Sequence, residues 1–218
     1  MNTRSSAPSD NTGSGLLDRV AQGDATALEV MFSSHRERLK RMVQINLDRR
    51  LAARFDASDV VQETLLDASR RIHEFVRDPA VPVYVWLRQI ARDRMADLYE
   101  RHLTTQKRSV LREQSWGLSQ DSLDQIATQV AAHEPSPSGR AMARELRDDV
   151  HRALAAMPEP ERDILIMRHL EQMSLVEIAA RYGISEGAVK MRRLRAIRHL
   201  RSALQRRGAG SSPSRDAE

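Results

Sequence analysis

Apolar residues along this chain recur at intervals of three and four, the spacing that lines one face of an α-helix, and no stretch shows the sustained alternation of a half-buried strand. Leu17 and Val20 open a first helical stretch that Gly23 closes. Asp24 can cap a second, in which Leu28, Met31, Phe32, Leu39, Met42 and Val43 keep the period. A third begins around residues 56–59, turning Val60, Val61, Leu65, Ala68 and Ile72 inward and Asp59, Gln62, Glu63 and Asp67 outward. Pro79 and Pro82 forbid a continuous helix between Phe75 and Tyr84. The fourth stretch, VWLRQIARDRMADLYERHL, carries Trp86, Leu87, Ile90, Met95 and Leu98 among Arg88, Arg92, Arg94 and Arg101.

From Val110 the period dissolves into Ser, Gln and Asp, and HEPSPSG adds two prolines and a glycine, so residues 110–140 read as a flexible linker. Helices resume over residues 141–157, stop at Pro158 and restart at Glu159 or Pro160. The ends, residues 1–15 and 208–218, are polar and rich in Ser and Gly, and are expected to be disordered tails. The pattern therefore predicts an all-α chain of two small helical domains, residues 16–109 and 141–207.

The most specific local signal lies in MSLVEIAARYGISEGAVKMRRLRAIRHLRSAL, residues 173–204. Ser174 followed three residues later by Glu177 is a capping box. Leu175, Ile178 and Ala179 share a face, and Gly183 supplies the left-handed position that ends a helix. Ser185 can cap a second helix, whose Val189, Ala196, Ile197, Leu200 and Leu204 make an inward stripe. Two short helices joined by such a turn form a helix-turn-helix. At about 100° per residue, Met191, Leu194, Arg195, Arg198 and Ser202 point away from the stripe, with Lys190 and Arg201 on its flank. Arginines and lysines there suit phosphates and guanine edges, and exposed Met191 and Leu194 suit thymine methyls in a major groove. A solvated basic face or a protein-docking face is the blander alternative.

Composition narrows the chemistry. Thirty-five Lys and Arg against thirty Asp and Glu give a formal charge of +5. The excess is concentrated in a few stretches, with no acid at all between Gly187 and Arg207, and points to a polyanionic partner. The absence of cysteine removes disulfides, thiolate metal sites and cysteine nucleophiles, and the seven histidines show no metal-ligand spacing. No metal, no cofactor and no catalytic residue is expected. No apolar run approaches a membrane span and residues 1–15 lack the apolar core of a signal peptide, so membrane insertion is not expected and the predicted location is the cytoplasm. Aromatics interleaved with arginines around Trp86, Arg88 and Arg92 suit single-stranded DNA, where unstacked bases need flat partners and the backbone needs charge. Trp86 serves equally well as a helix-packing residue.

Three segments, DASDVVQETLLDASRRIHEF, WLRQIARDR and LAAMPEPERDILIMRHLEQMSLVEIAARYGISEGAVKMRRLRAIRHLR, resemble in wording and order the sigma-70 family of bacterial RNA polymerase sigma factors, extracytoplasmic-function group. IARDR and the long linker are similar to a subgroup common in planctomycetes. The resemblance implies a promoter-specificity subunit without catalytic activity, whose partners are core RNA polymerase, promoter DNA and, for many members, an anti-sigma factor.

Carried over by position, it implies that Asp59, Gln62 and Glu63 grip the polymerase clamp helices. Phe75 and the loop 76–83 match the segment that captures a base of the minus-ten element. That loop is about two residues longer than usual and holds two prolines. Trp86, Arg88 and Arg92 fall in the helix that helps to open the DNA, where Asp93 replaces a common Asn and is given no contact. Arg168 matches a DNA-contacting position beside the recognition helix. Lys190, Met191, Leu194 and Arg195 match the minus-35 readers, and the face analysis adds Arg198. Arg193 stands where an apolar residue is usual. Either it snorkels to a phosphate or the helix is rotated slightly. The competing reading is an autonomous helix-turn-helix repressor or activator, for which the first domain has no task.

Overall fold

The computed structural model describes residues 11–47, 49–52, 54–103 and 149–210. Their order is α1 (Asn11–Ala21), α2 (Ala25–Asn46), α3 (Arg49–Ala52), α4 (Ala57–Arg77) and α5 (Val83–Leu103), then a helical stretch at 149–155 (α6), α7 (Glu159–Leu165), a π-helical turn (Ile166–Leu170), α8 (Leu175–Tyr182) and α9 (Glu186–Gly210). No strand occurs among the described residues. The chain divides into two compact helical units, one assembled on α1, α2, α4 and α5, the other on α6 to α9. Among the described residues no helix is long and apolar enough to cross a membrane. The linker expected at 110–140 lies outside the described residues.

In the first unit the predicted stripes are the core: Val20, Met31, Phe32, Leu39, Met42 and Val43, then Val60, Val61, Leu65, Ala68 and Ile72, are all buried. Burying each of these larger aliphatic or aromatic side chains contributes roughly 1.5–3 kcal/mol, which is what holds helices of ordinary propensity together. The α1–α2 corner forms as its residues dictate. Gly23 takes φ +85°, and Asp24 Oδ1 accepts the Ala27 N–H at 3.0 Å while Oδ2 accepts from Arg19 at 2.9 and 2.6 Å. Asp56 caps α4 by accepting the Ser58 N–H at 2.7 Å.

Helices α4 and α5 pack as an antiparallel hairpin. Phe75 near the end of α4 meets Trp86 near the start of α5, and Glu63 and Asp67, earlier in α4, meet Arg94, later in α5. Arg38 of α2 lies over the Tyr84 ring at 3.7 Å, and Phe55 meets His102 at 4.9 Å, so both ends of α5 are fastened.

In the second unit Val150, Leu154, Met157, Leu165, Ile166, Leu170, Ala196 and Leu200 form one cluster, with Ala153, Ile197 and Leu204 packed against it. Pro158 stops α6 and sits at the N-cap of α7, with Pro160 inside its first turn, where a missing N–H costs nothing. Tyr182 donates to Asp163 at 3.3 Å, and His199 Nδ1 lies 2.6 Å from Glu161 Oε2.

Three boundaries depart from expectation. α1 starts at Asn11 rather than near Leu16, and α9 continues through Gly210 rather than ending before Gly208. Once a helix is nucleated, each added residue needs only one further hydrogen bond and no apolar contact, so its ends outrun the apolar stripe. ERDILIMRHLE also does not run as one α-helix. It passes into the π-turn, where the Glu171 N–H reaches the Ile166 carbonyl at 3.0 Å.

Candidate nucleic-acid interface

The helix-turn-helix is built from the capping residues its sequence supplies. Ser174 Oγ accepts the Glu177 N–H at 3.1 Å and Glu177 Oε2 accepts the Ser174 N–H at 2.7 Å, a reciprocal capping box. Gly183 ends α8 at φ 62°, and the next N–H, of Ile184, returns to the Ala179 carbonyl at 3.1 Å. Ser185 Oγ accepts the Ala188 N–H at 3.2 Å and starts α9. Val189, Ala196 and Leu200 are fully buried, which fixes the rotation of α9 about its axis.

With that rotation fixed, the opposite face is the one expected. Met191 is 50% and Leu194 42% exposed, and Lys190, Arg195, Arg198, Arg201 and Ser202 are exposed with them. Two large apolar side chains held in water by a well-packed helix, among four cations, form a surface that gains by meeting a groove with both phosphates and methyl groups.

Arg168 occupies the π-turn rather than an open flank. It is half-buried and its Nη1 donates to the Met173 carbonyl at 2.8 Å, bracing the backbone that enters α8. Around it lies an open depression of about 340 Å³ lined by Arg168, His169, Gln172 and Arg193. His169 has its pKa held below the ordinary histidine value by burial first, then by the Arg193 and Arg168 charges, so its ring is neutral at pH 7. Arg193 is half-buried on the flank of α9 beside the buried stripe, and its side chain lines the depression. Pattern reasoning passed over His169 and Gln172, and the only hint was a histidine beside Arg168 in an otherwise apolar run.

In the first unit, Asp59, Gln62 and Glu63 stand exposed on one face of α4. Glu63 is already engaged there: Arg94 donates to it through Nε at 2.6 Å and through Nη2, and Asp67 lies 3.7 Å from Arg94 Nη1. Two of the residues expected on the minus-ten surface are buried. Phe75 is 7% exposed near the end of α4 and stacks on Trp86 with ring centroids 4.4 Å apart. Arg88 is 2% exposed, because it shares the buried side of α5 with Tyr84, Val85, Ala91 and Met95. Trp86 and Arg92 are half-buried, and the open loop is 78–82.

Residues 31–106 match Sigma-70 region 2, and residues 147–200 match Sigma-70, region 4. Each match falls on one of the two helical units, in the order that places the helix-turn-helix last. The chain belongs to the sigma-70 family.

Among its relatives, the ECF RNA polymerase sigma-E factor of Haemophilus influenzae is 27% identical over 194 residues, 89% of this chain and 96% of that protein. The sigma-E factor of Escherichia coli is 28% identical over 191 residues, 87% and 93% respectively. Among solved structures, CnrH in complex with the cytosolic domain of CnrY is 22% identical with a TM-score of 0.49, covering 87% of this chain and 95% of that one. This sigma factor is of the extracytoplasmic-function group. It binds core RNA polymerase and promoter DNA and directs promoter-specific transcription initiation, and with both units matched, an autonomous regulator is not favoured.

Proposed function

We propose that the two units divide promoter recognition between them. The second reads the minus-35 duplex through Lys190, Met191, Leu194, Arg195 and Arg198, with Arg168 beside them. The observation that carries this is the exposure of Met191 and Leu194 on a helix whose opposite side buries Val189, Ala196 and Leu200 completely. In a groove those side chains pack on methyl groups while the surrounding cations meet phosphates. The first unit holds core polymerase through the Asp59, Gln62 and Glu63 face of α4. It meets the minus-ten element through the loop 78–82 and the accessible parts of Trp86 and Arg92. Phe75 and Arg88 support that surface from inside.

On this reading the protein has no catalytic step of its own and needs no cofactor. It works in the cytoplasm, where polymerase and promoter are, and an anti-sigma factor is the inhibitory partner its family resemblance suggests. The IARDR wording and the long segment between the two matched regions favour the subgroup common in planctomycetes. Run-off transcription with purified core enzyme on genomic fragments tests the reading. Starts that appear only with this protein are expected, whereas specific duplex binding without factor-dependent starts would return the autonomous regulator to first place.

A further inference from the structure

Apart from Arg168, the depression beside the recognition helix is composed of side chains that the minus-35 face does not use. His169 and Arg168 come from the π-turn, Gln172 from the strained residue that follows it at φ 56°, and Arg193 from the inward flank of α9. Their placement is fixed by the fold on three sides. Arg168 is tied to the Met173 carbonyl at 2.8 Å. The turn is closed by Glu171 N–H to Ile166 O at 3.0 Å and Met173 N–H to Met167 O at 2.8 Å. Arg193 is set by the buried neighbours Val189 and Ala196. Arg193 Nε is buried with no hydrogen-bond acceptor among the described residues. The lining holds donors and positive charge and no carboxylate. Two guanidinium groups, one of them tied to the backbone, with an amide and an imidazole around one open hollow match the tetrahedral, multiply accepting oxygens of a phosphate better than they match a planar base or an apolar chain.

We propose that this depression is a phosphate seat in which His169, Gln172 and Arg193, with Arg168 behind them, hold one backbone phosphate of the duplex at the edge of the minus-35 element. The inference rests on the minus-35 reading of α9 and adds a separate, sequence-independent anchor to it. It assigns a use to Arg193, a half-buried cation of the recognition helix. A phosphate held there fixes how deep and at what angle α9 lies in the groove, since such contacts set register without reading sequence.

The test uses the full chain bound to core polymerase and titrates promoter fragments at several salt concentrations. Arg193→Ala and His169→Gln are each expected to weaken binding about five- to tenfold. The weakening should be the same on the native minus-35 element and on a scrambled one, and the salt slope should be shallower by about one for the arginine variant. Arg193→Lys should recover most of the slope, which separates lost charge from lost folding, and thermal melts of each variant check the fold. A methylphosphonate scan of the duplex locates the partner. One neutralised position near the edge of the element should weaken wild type and have no further effect on Arg193→Ala. An unchanged salt slope in both variants overturns the proposal. So does saturable binding of inorganic pyrophosphate with DNA affinity unaltered, which would assign the hollow to a small phosphate, or loss of core binding alone, which would assign it to a polymerase carboxylate. In the same titrations Arg195→Ala must lower affinity for the native element selectively. If it does not, the minus-35 reading itself has failed, whatever the cleft variants do.

Discussion

Arg94 on α5 reaches across the helical hairpin and holds Glu63 on α4, its Nε 2.6 Å from Glu63 Oε2, with Asp67 as a second acceptor at 3.7 Å. The carboxylate proposed to meet core polymerase is therefore oriented by its own fold, and its bridge is solvent-accessible, with Glu63 half exposed. An exposed pair of this kind contributes about 0–1 kcal/mol to stability, so its value lies in where it holds the carboxylate.

Replacing Gln62 and Glu63 together by Ala is expected to weaken binding to core polymerase by about tenfold, roughly 1.4 kcal/mol, with the fold intact. Pull-down with core enzyme measures it. Retention of the variant on a minus-35 duplex should be unchanged, because that surface belongs to the other unit. Undiminished recovery with core would remove α4 from the polymerase interface.

Arg195→Ala should cost about 1–3 kcal/mol in promoter affinity, with specificity relaxed at one or two adjacent base pairs if the lost contact is to a base edge. Met191→Asp and Leu194→Asp should cost more, since each sets a negative charge against the groove in place of an apolar contact. Binding titrations on native and singly mutated elements resolve both effects. Wild-type behaviour in all three would mean that the exposed face of α9 meets something other than DNA.

The turn that presents α9 is held by local chemistry and should fail locally. Ser174→Ala removes one half of the capping box and is expected to cost about 0.5–2 kcal/mol. Gly183 has φ 62° and nothing within 4 Å of where a Cβ would sit, so Gly183→Ala meets no clash and pays only for the left-handed backbone, about 1 kcal/mol. Asn, which tolerates that conformation, should be milder than Ala at the same position. Denaturant melts give the ranking, and a larger loss for Asn than for Ala would contradict the backbone explanation.

What was legible in the sequence is what is local. Asp24, Asp56, Ser174, Gly183 and Ser185 each act within three or four residues of their own position, and each forms the cap or turn its chemistry implies. The apolar stripes were legible for the same reason, and with them the exposed face of α9. Arg88 was not, because charge was taken as a sign of exposure. It follows Tyr84 by four residues and precedes Ala91 and Met95 by three and seven, which is the middle of the buried stripe. The helix holding Phe75 runs two residues further than the prolines at 79 and 82 suggested, on to Arg77, before the chain turns. The π-turn was hidden because IMRHL is apolar enough to continue a helix, and one extra residue per turn leaves no mark on composition. The Arg94–Glu63 bridge and the Arg168–His169–Arg193 depression join residues far apart in sequence, and no spacing rule reaches that far.

Asp24 and Asp56 give the first unit a defined response to acid. Both carboxyls are held below the ordinary value of 3.8: Asp24 by the Ala27 N–H and then by Arg19, Asp56 by the Ser58 N–H and then by the Ser58 hydroxyl. The sign follows from which form the folded state prefers. A carboxylate whose folded pKa is lowered binds its proton more readily in the unfolded chain, so its contribution is fully present well above pH 3.8 and is lost as pH falls through 3.8 to the lower folded value. Asn at either position keeps an oxygen that can accept the capping N–H but cannot titrate, which isolates the charge from the cap. The Asp24→Asn, Asp56→Asn double variant should therefore be less stable than wild type at pH 7, and the gap should close as pH is lowered through 3.8. Urea melts at intervals from pH 7 to pH 3, read by helical circular dichroism, follow that gap. A gap that stays constant over the whole range would show that these two caps hold their N–H groups as neutral acceptors and that the helix starts draw no stability from the charge.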